Sequence, residues 1–333
     1  MTSARSKRSS LGNRLILLVF VGLAVLTLGG FFVSQAWTAA GPAPRPVEVL
    51  VPQGSSLSRA ARELEKAGAL ASADRFLMFA KIFGSDKSIQ AGEYEVPARA
   101  SPSDVLALLQ SGRTLQRFVA IPEGTPSILV HERLMAEQRL SGPVAVPEEG
   151  SVLPDSYSFQ RGDTRAAVLA RMQKAMTDEL TKLWAARKPG IAVSSKREAV
   201  ILASVVEKET GVPSERRTVA GVYTNRLKQG IPLQADPTVI YPVTKGKPLG
   251  RRILRSELNA NNGYNTYAMA GLPAGPIANP GRESLAATLN PEPTQALYFV
   301  AKGDGGHIFA NTLAEHNANV QRWYAIRRSR GEM

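Results

Sequence analysis

Between Leu15 and Trp37 the chain reads LILLVFVGLAVLTLGGFFVSQAW, with no charged residue over about 23 positions. As a helix rising about 1.5 Å per residue, this run is roughly 35 Å long, enough to cross a bilayer with some tilt. Thr38, Ala39 and Ala40 supply the small residues of a signal-peptidase site, but the apolar run exceeds an ordinary signal-peptide core. A retained anchor at residues 15–37 is the expectation. Arg5, Lys7, Arg8 and Arg14 make residues 1–14 a basic tail, which by the positive-inside rule stays cytoplasmic and places everything after Trp37 outside.

Pro42, Pro44 and Pro46 alternate in TAAGPAPRP, which predicts an extended, semi-rigid spacer over residues 38–46. Such a spacer reaches about 30 Å at most, so whatever follows works close to the membrane surface. At 333 residues the chain has room for two folded units beyond the anchor. It has no cysteine, which removes disulfide frameworks, thiol nucleophiles and cysteine-based zinc sites. The net charge of +13 is spread along the chain, without the clustering of basic and aromatic residues that marks nucleic-acid binders.

Residues 47–116 read as a small α/β unit. VEVLVPQGSS alternates like a strand and breaks at Gly54, LSRAARELEKAG is an amphipathic helix ending at Gly68, and RFLMFAKIFG is a second helix stopping at Gly84. AGEYEVPARASPSDVLALLQSG then gives a strand, a turn, and a helix capped by Ser101 with Pro102 in its first turn. The strand, Gly-Ser, helix opening resembles a LysM-type glycan-binding module.

Residues 117–333 form the larger part, expected to be a mixed α+β domain. Helix signals at Ala166–Lys188, Lys196–Thr210 and Arg216–Gln229 alternate with a strand-like TVIYPV and a late strand, Gly-rich turn, strand pattern in YFVAKGDGGHIFA. The second of these helices carries the chemistry. In SSKREAVILASVVEKETGVP, Ser195 and Glu198 form a capping box, and Gly211 and Pro213 end the helix. Apolar residues point in almost every direction, so the helix is largely buried, yet Glu207 and Glu209 sit at its end. On a helical wheel Glu207 lies with Val200, Ala203 and Ser204, and Glu209 nearly opposite with Leu202 and Val205. A buried carboxylate is costly unless it is paired or neutral. Either both glutamates pair with nearby basic residues, or one is a proton donor with a raised pKa. Ala203 and Ser204 leave space for a ligand and favour Glu207 for that role.

Five stretches, EEGSVLPDSYSF, ILASVVEKET, VAGVYTNRLKQGIPLQADPTVIY, YNTYAMAGLPAGPIANPG and LYFVAKGDGGHIFANTLAEHN, resemble in order and wording the YceG-like family of membrane-anchored endolytic peptidoglycan transglycosylases. The resemblance spans about residues 47–325. It implies cleavage of the β-1,4 bond between N-acetylmuramic acid and N-acetylglucosamine within glycan strands, leaving 1,6-anhydromuramyl ends. It places the catalytic carboxylate on the first glutamate of EKE, Glu207, which would serve as acid and then base while the sugar's own C6 hydroxyl attacks. Gln234, Asp236, Tyr264, Asn265 and Tyr267 are the expected sugar-positioning residues. His307 is expected to line the cleft or to pin the hairpin. His307 and His316 do not form a helical zinc pair, and neither a metal nor a cofactor is expected. VTKGKPLGRRILRSELNANNG departs from the family wording and is expected to be a variable loop near the cleft.

A single-pass inner-membrane protein with its catalytic domain outside would meet nascent strands, with membrane-bound peptidoglycan polymerases as the expected protein partners. A tethered, non-catalytic glycan-binding scaffold is the alternative.

Overall fold

The computed structural model describes residues 5–332 and divides into two compact units, Met1–Gln116 and Arg117–Met333. The first part of the expected basic tail, residues 1–4, lies outside the described residues, as do the side chains of residues 5–15.

The first unit begins with α1, Arg5–Thr38. Its stretch Ile16–Thr38 has a mean hydropathy of 2.7 and is long and apolar enough to cross a bilayer, and none of it is buried by the rest of the chain apart from its outer end. Beyond it come β1 (Val47–Val51), α2 (Leu57–Lys66), α3 (Ala73–Phe83), β2 (Gly92–Val96) and α4 (Pro102–Ser111). The two strands pair antiparallel, with Val47 opposite Val96 and Val51 opposite Gly92. Alternation along β1 turns Val49 and Val51 onto a core with Leu64, Phe76, Phe79, Tyr94 and Leu109. Ser56, Ser72 and Ser101 cap the three helices through their hydroxyls, satisfying backbone N–H groups that a helix start leaves open.

The expected free spacer at 38–46 is instead part of this unit. Gly41 N–H donates to the Arg99 carbonyl at 3.0 Å, and Arg99 N–H donates to the Ala43 carbonyl at 2.7 Å. A Cβ at Gly41 would strike the Ala100 carbonyl oxygen. Alternating prolines pre-extend the segment, and its remaining backbone groups then hydrogen-bond along the neighbouring chain like an added strand.

The second unit is mixed α+β, largely helical, with two short antiparallel pairs. β3 (Arg117–Ala120) pairs with β4 (Ser156–Phe159), and packs with α5 (Ser127–Ala136) and α6 (Arg165–Ala185) around Val119, Val130, Leu134, Phe159 and Met172. α7, Lys196–Glu209, lies at the centre of the unit: Ala199 to Val206 are buried without interruption. Ser195 accepts the Glu198 N–H at its start. Around it stand α8 (Arg216–Lys228), α9 (Asp236–Thr244), the short α10 (Arg255–Leu258) and α11 (Arg282–Leu289), followed by the hairpin of β5 (Tyr298–Ala301) and β6 (His307–Ala310) and the long α12 (Leu313–Ser329).

TVIYPV, expected as a strand, is helical and belongs to α9. Pro237 falls in the first turn, where its missing N–H costs nothing. The buried Thr238 hydroxyl donates to the Ala235 carbonyl at 2.6 Å and fixes the helix start. Tertiary packing of Thr238 and Val239 outweighs the β preference of the branched residues.

Candidate active site

The last turn of α7 sends its two glutamates into different surroundings. Glu207 Oε2 accepts the Gly281 N–H at 3.0 Å, and its Oε1 lies 3.9 Å from Arg216 Nη2, with the side chain only 6% exposed. The same Arg216 nitrogen lies 3.4 Å from Glu123 Oε2. Burial and the Glu207 charge push the Glu123 carboxyl up, against the pull of Arg216. The Glu123 carboxyl lies close against Gly281, so a side chain at 281 would displace it. Glu207 is thus tied to a backbone donor and stands beside a guanidinium.

The small residues beside Glu207 serve packing. Ala203 and Ser204 are fully buried; Ser204 Oγ donates to the Ile201 carbonyl at 2.7 Å and accepts the Ile277 N–H at 3.0 Å. The space they leave is filled by the loop following Pro276, not held open for a ligand. Asn279 in that loop is wholly buried, taking the Val152 N–H at 2.9 Å and donating to the Thr125 carbonyl at 2.9 Å.

Glu209 faces a cavity of about 690 Å³, whose wall includes Tyr223, Arg226, Gln234, Asp236 and Tyr267. That volume falls in the range of small-ligand sites. Oε1 of Glu209 is buried with no hydrogen-bond partner among the described residues. Burial, with the nearby negative charge of Asp236, pushes the Glu209 carboxyl up to about 7, against the pull of the Tyr223 hydroxyl and Arg226. A carboxylic acid poised there exchanges protons readily near neutral pH.

Of the sugar-positioning residues expected from the sequence, Gln234, Asp236 and Tyr267 come together in this cavity, around Glu209 and not around Glu207. Tyr267 donates its hydroxyl hydrogen to Asp236 Oδ1 at 2.7 Å. Gln234 holds a left-handed backbone, φ 51°, rare for a non-glycine residue. Its N–H donates to the Thr266 carbonyl at 3.0 Å, and Arg226 Nη1 lies 3.4 Å from its Oε1.

Tyr264 stands apart from these three: its ring lies against Tyr241 at 5.1 Å between centroids. Asn265 is buried, and its amide donates to the carbonyls of Glu257, Leu258 and Ala260, so it shapes the loop rather than facing the cavity. His307 Nδ1 donates to Glu215 Oε2 at 2.8 Å, and its backbone N–H donates to Glu215 Oε1 at 2.9 Å, which ties the hairpin to the segment before α8. Burial lowers the His316 pKa, and its ring stacks on Tyr298 at 5.2 Å beside the cavity.

Arg226 and Tyr223 were not among the residues expected from the sequence. Arg226 is only 7% exposed. Its Nε donates to the Leu297 carbonyl at 2.6 Å and its Nη1 to the Leu233 carbonyl at 2.9 Å, bracing the loop that presents Gln234. The signal was an arginine between Tyr223 and Leu227 in a helix whose other buried positions carry no charge.

A second cavity, of about 350 Å³, shares Lys208, Pro237 and Ile240 with the first and is otherwise bounded by Tyr241, Ile277 and residues 246–249. The segment expected as a variable loop therefore borders a groove that continues past Glu209.

The second unit is thus a mixed α+β domain with a buried carboxyl at the end of its central helix, opening into a groove lined by tyrosines and a second carboxylate. The chain belongs to the YceG-like family, whose sequence model matches residues 49–322. It is similar to the endolytic murein transglycosylase of Bacillus subtilis, with 29% identity over 83% of this chain and 84% of that protein. The endolytic murein transglycosylase of Streptococcus pneumoniae strain D39 is 28% identical over 90% of this chain and 63% of its own length. Among solved structures, a YceG-like protein from Listeria monocytogenes matches 82% of this chain and 98% of its own, with 27% identity and a TM-score of 0.50.

Proposed function

We propose that the protein is a membrane-anchored endolytic peptidoglycan transglycosylase, and that Glu209, rather than Glu207, is its acid–base group. The observation that carries this reading is the Glu209 carboxyl itself: buried, pushed up to about 7, and open to a cavity shared with Asp236 and Tyr267. The names of the two relatives support the reaction class.

In the proposed cycle, protonated Glu209 gives its proton to the β-1,4 glycosidic oxygen. The bond from that oxygen to C1 of the N-acetylmuramic acid breaks, and the N-acetylglucosamine leaves with a 4-hydroxyl. The Glu209 carboxylate then takes the proton of the muramyl C6 hydroxyl as O6 bonds to C1. One carboxyl is restored, a 1,6-anhydro ring remains, and no water is consumed. Attack within one ring has a high effective concentration, which lets it outrun hydrolysis. Most glycosidases need two carboxylates because water must be activated or a covalent adduct formed; here a single proton carrier suffices. Asp236, held by Tyr267, supplies negative charge to the oxocarbenium-like transition state.

The continuation of the groove past Lys208 suits a chain threaded through the site, as internal cutting requires. In the first unit, a groove of about 300 Å³ bordered by Ser55, Ser56, Lys87, Ser88 and Gln110 supports a LysM-like, glycan-holding role. With α1 as a single-pass anchor in the inner membrane, N-terminus inside, the enzyme would meet strands leaving membrane-bound polymerases and terminate them.

The test is digestion of purified peptidoglycan by the full-length protein in detergent. Release of 1,6-anhydromuramyl products, lost in Glu209→Gln, is expected. Reducing-end muramyl products would overturn the reaction type, and full activity of Glu209→Gln would overturn the residue.

A further inference from the structure

The outer end of α1 is built into the core of the first unit. Trp37 is 7% exposed, and its ring lies 6.0 Å from Phe76, 6.3 Å from Phe79 and 6.2 Å from Phe83 on α3, centroid to centroid. Val33, one turn earlier, also packs on this core. One turn is about 6 Å along the helix axis. The apolar stretch Ile16–Thr38 is about 35 Å long as a helix, against a hydrocarbon layer of about 30 Å. A span of that length leaves its last turn in the headgroup layer, and the elements packed on Val33 and Trp37 must lie there too.

α3 is the element packed on Trp37, and its opposite face carries two uncovered apolar residues among Asp74, Arg75 and Lys81. Met78 is 50% exposed and Ile82 60%. Arg75 continues the Met78–Ile82 stripe by one turn, and Lys81 flanks it. In water such a patch at one end of a small unit is a liability. At a bilayer surface it is the pattern of an interfacial helix, with apolar residues inward and cations beside the headgroups. A cavity of about 270 Å³ bordered by Ala36, Ala39, Leu70, Arg75 and Phe79 opens at the same level.

We propose that α3 lies in the outer-leaflet interface, with Met78 and Ile82 inserted among the lipids, so that the first unit is seated on the membrane instead of swinging on a tether. The inference rests on α1 being a membrane span, and its occupant is phospholipid. The hydrogen bonds from Gly41 and Arg99 favour the same picture, because they leave no slack between the span and the unit.

The native chain has no cysteine, so single-cysteine variants label cleanly. Leu26→Cys, Met78→Cys, Ile82→Cys and Gln53→Cys in the full chain would each carry a bimane fluorophore. Each would be reconstituted into phosphatidylcholine–phosphatidylglycerol vesicles, with and without acyl-brominated lipid. All four positions are exposed, so labelling leaves the core intact. Gln53 sits in the turn at the far end of β1 and serves as the water-facing control. Loss of fluorescence with brominated lipid at 26, 78 and 82, and none at 53, is expected. Quenching at 26 alone would overturn the seating of α3 while leaving the anchor in place. No quenching at 26 would overturn the span, and the seating with it.

Discussion

Two glutamates two residues apart on the last turn of α7 have different surroundings. Glu207 has a backbone donor and a guanidinium within reach; Glu209 is deeply buried beside Tyr223, Arg226 and the Asp236 carboxylate, with one oxygen that has no partner among the described residues. Both are largely buried, so burial alone does not decide which one moves protons. The partners differ: Glu207 takes a backbone N–H beside Arg216, whereas desolvation and the Asp236 charge raise the Glu209 pKa. Glu207 anchors the loop of Gly281 and Asn279, and Glu209 faces the groove.

The largest expected effect separates the two directly. Glu209→Gln is expected to lower turnover of peptidoglycan by about 10²–10⁴-fold, the usual contribution of a positioned general acid. Glu207→Gln is expected to stay within about threefold of wild type, because a glutamine oxygen still accepts the Gly281 N–H. Equal losses in both variants would erase the distinction between the two faces.

Stability sharpens the contrast next. A carboxyl raised from 4.5 to about 7 on folding binds its proton more tightly in the native state. Its stabilising contribution is therefore present below about pH 4.5 and lost as pH rises through about 7. Thermal unfolding of Glu209→Gln should gain on wild type across that window, by a difference of order 3 kcal/mol. A pH-independent gap for Glu209→Gln would contradict the raised pKa.

A smaller effect tests the neighbour. Asp236→Asn removes a negative charge that raises the Glu209 pKa, so the alkaline limb of the pH–kcat profile should move to lower pH. Tyr267→Phe, which frees Asp236 Oδ1 from its donor, should leave turnover reduced by roughly tenfold, in line with a charge-assisted hydrogen bond. The smallest expected change is to folding: Glu207→Gln should lower stability by about 1 kcal/mol, since Arg216 keeps Glu123 as a partner.

Much of this was legible in the sequence, for reasons that can be named. The mixed α+β class followed from helix caps and the Gly-rich hairpin turn, whose strands pair with Tyr298 opposite Ala310. α7 announced itself through Ser195, Glu198 and an unbroken apolar surround. Gln234, Asp236 and Tyr267 were selected together and do share one cavity. The different surroundings of Glu207 and Glu209 were not legible, because a helical wheel gives directions and not the loops that arrive from elsewhere. Ala203 and Ser204 read as room for a ligand, but that room belongs to Ile277 and its neighbours. Asn265 read as a sugar contact, yet three carbonyls from one loop consume its amide. The hydrogen bonds that join Gly41 and Ala43 to Arg99 were not legible, because they are non-local and leave no mark in the run of prolines.

The protonation state of one side chain tests the central claim most directly. Carbon-13 NMR of the full-length protein, labelled at glutamate carboxyl carbons and titrated from pH 4 to 9, should show one resonance with a midpoint near 7 that disappears in Glu209→Gln and persists in Glu207→Gln. If every glutamate carboxyl has titrated below pH 5.5, or if the high-midpoint resonance vanishes instead in Glu207→Gln, Glu209 is not the proton carrier.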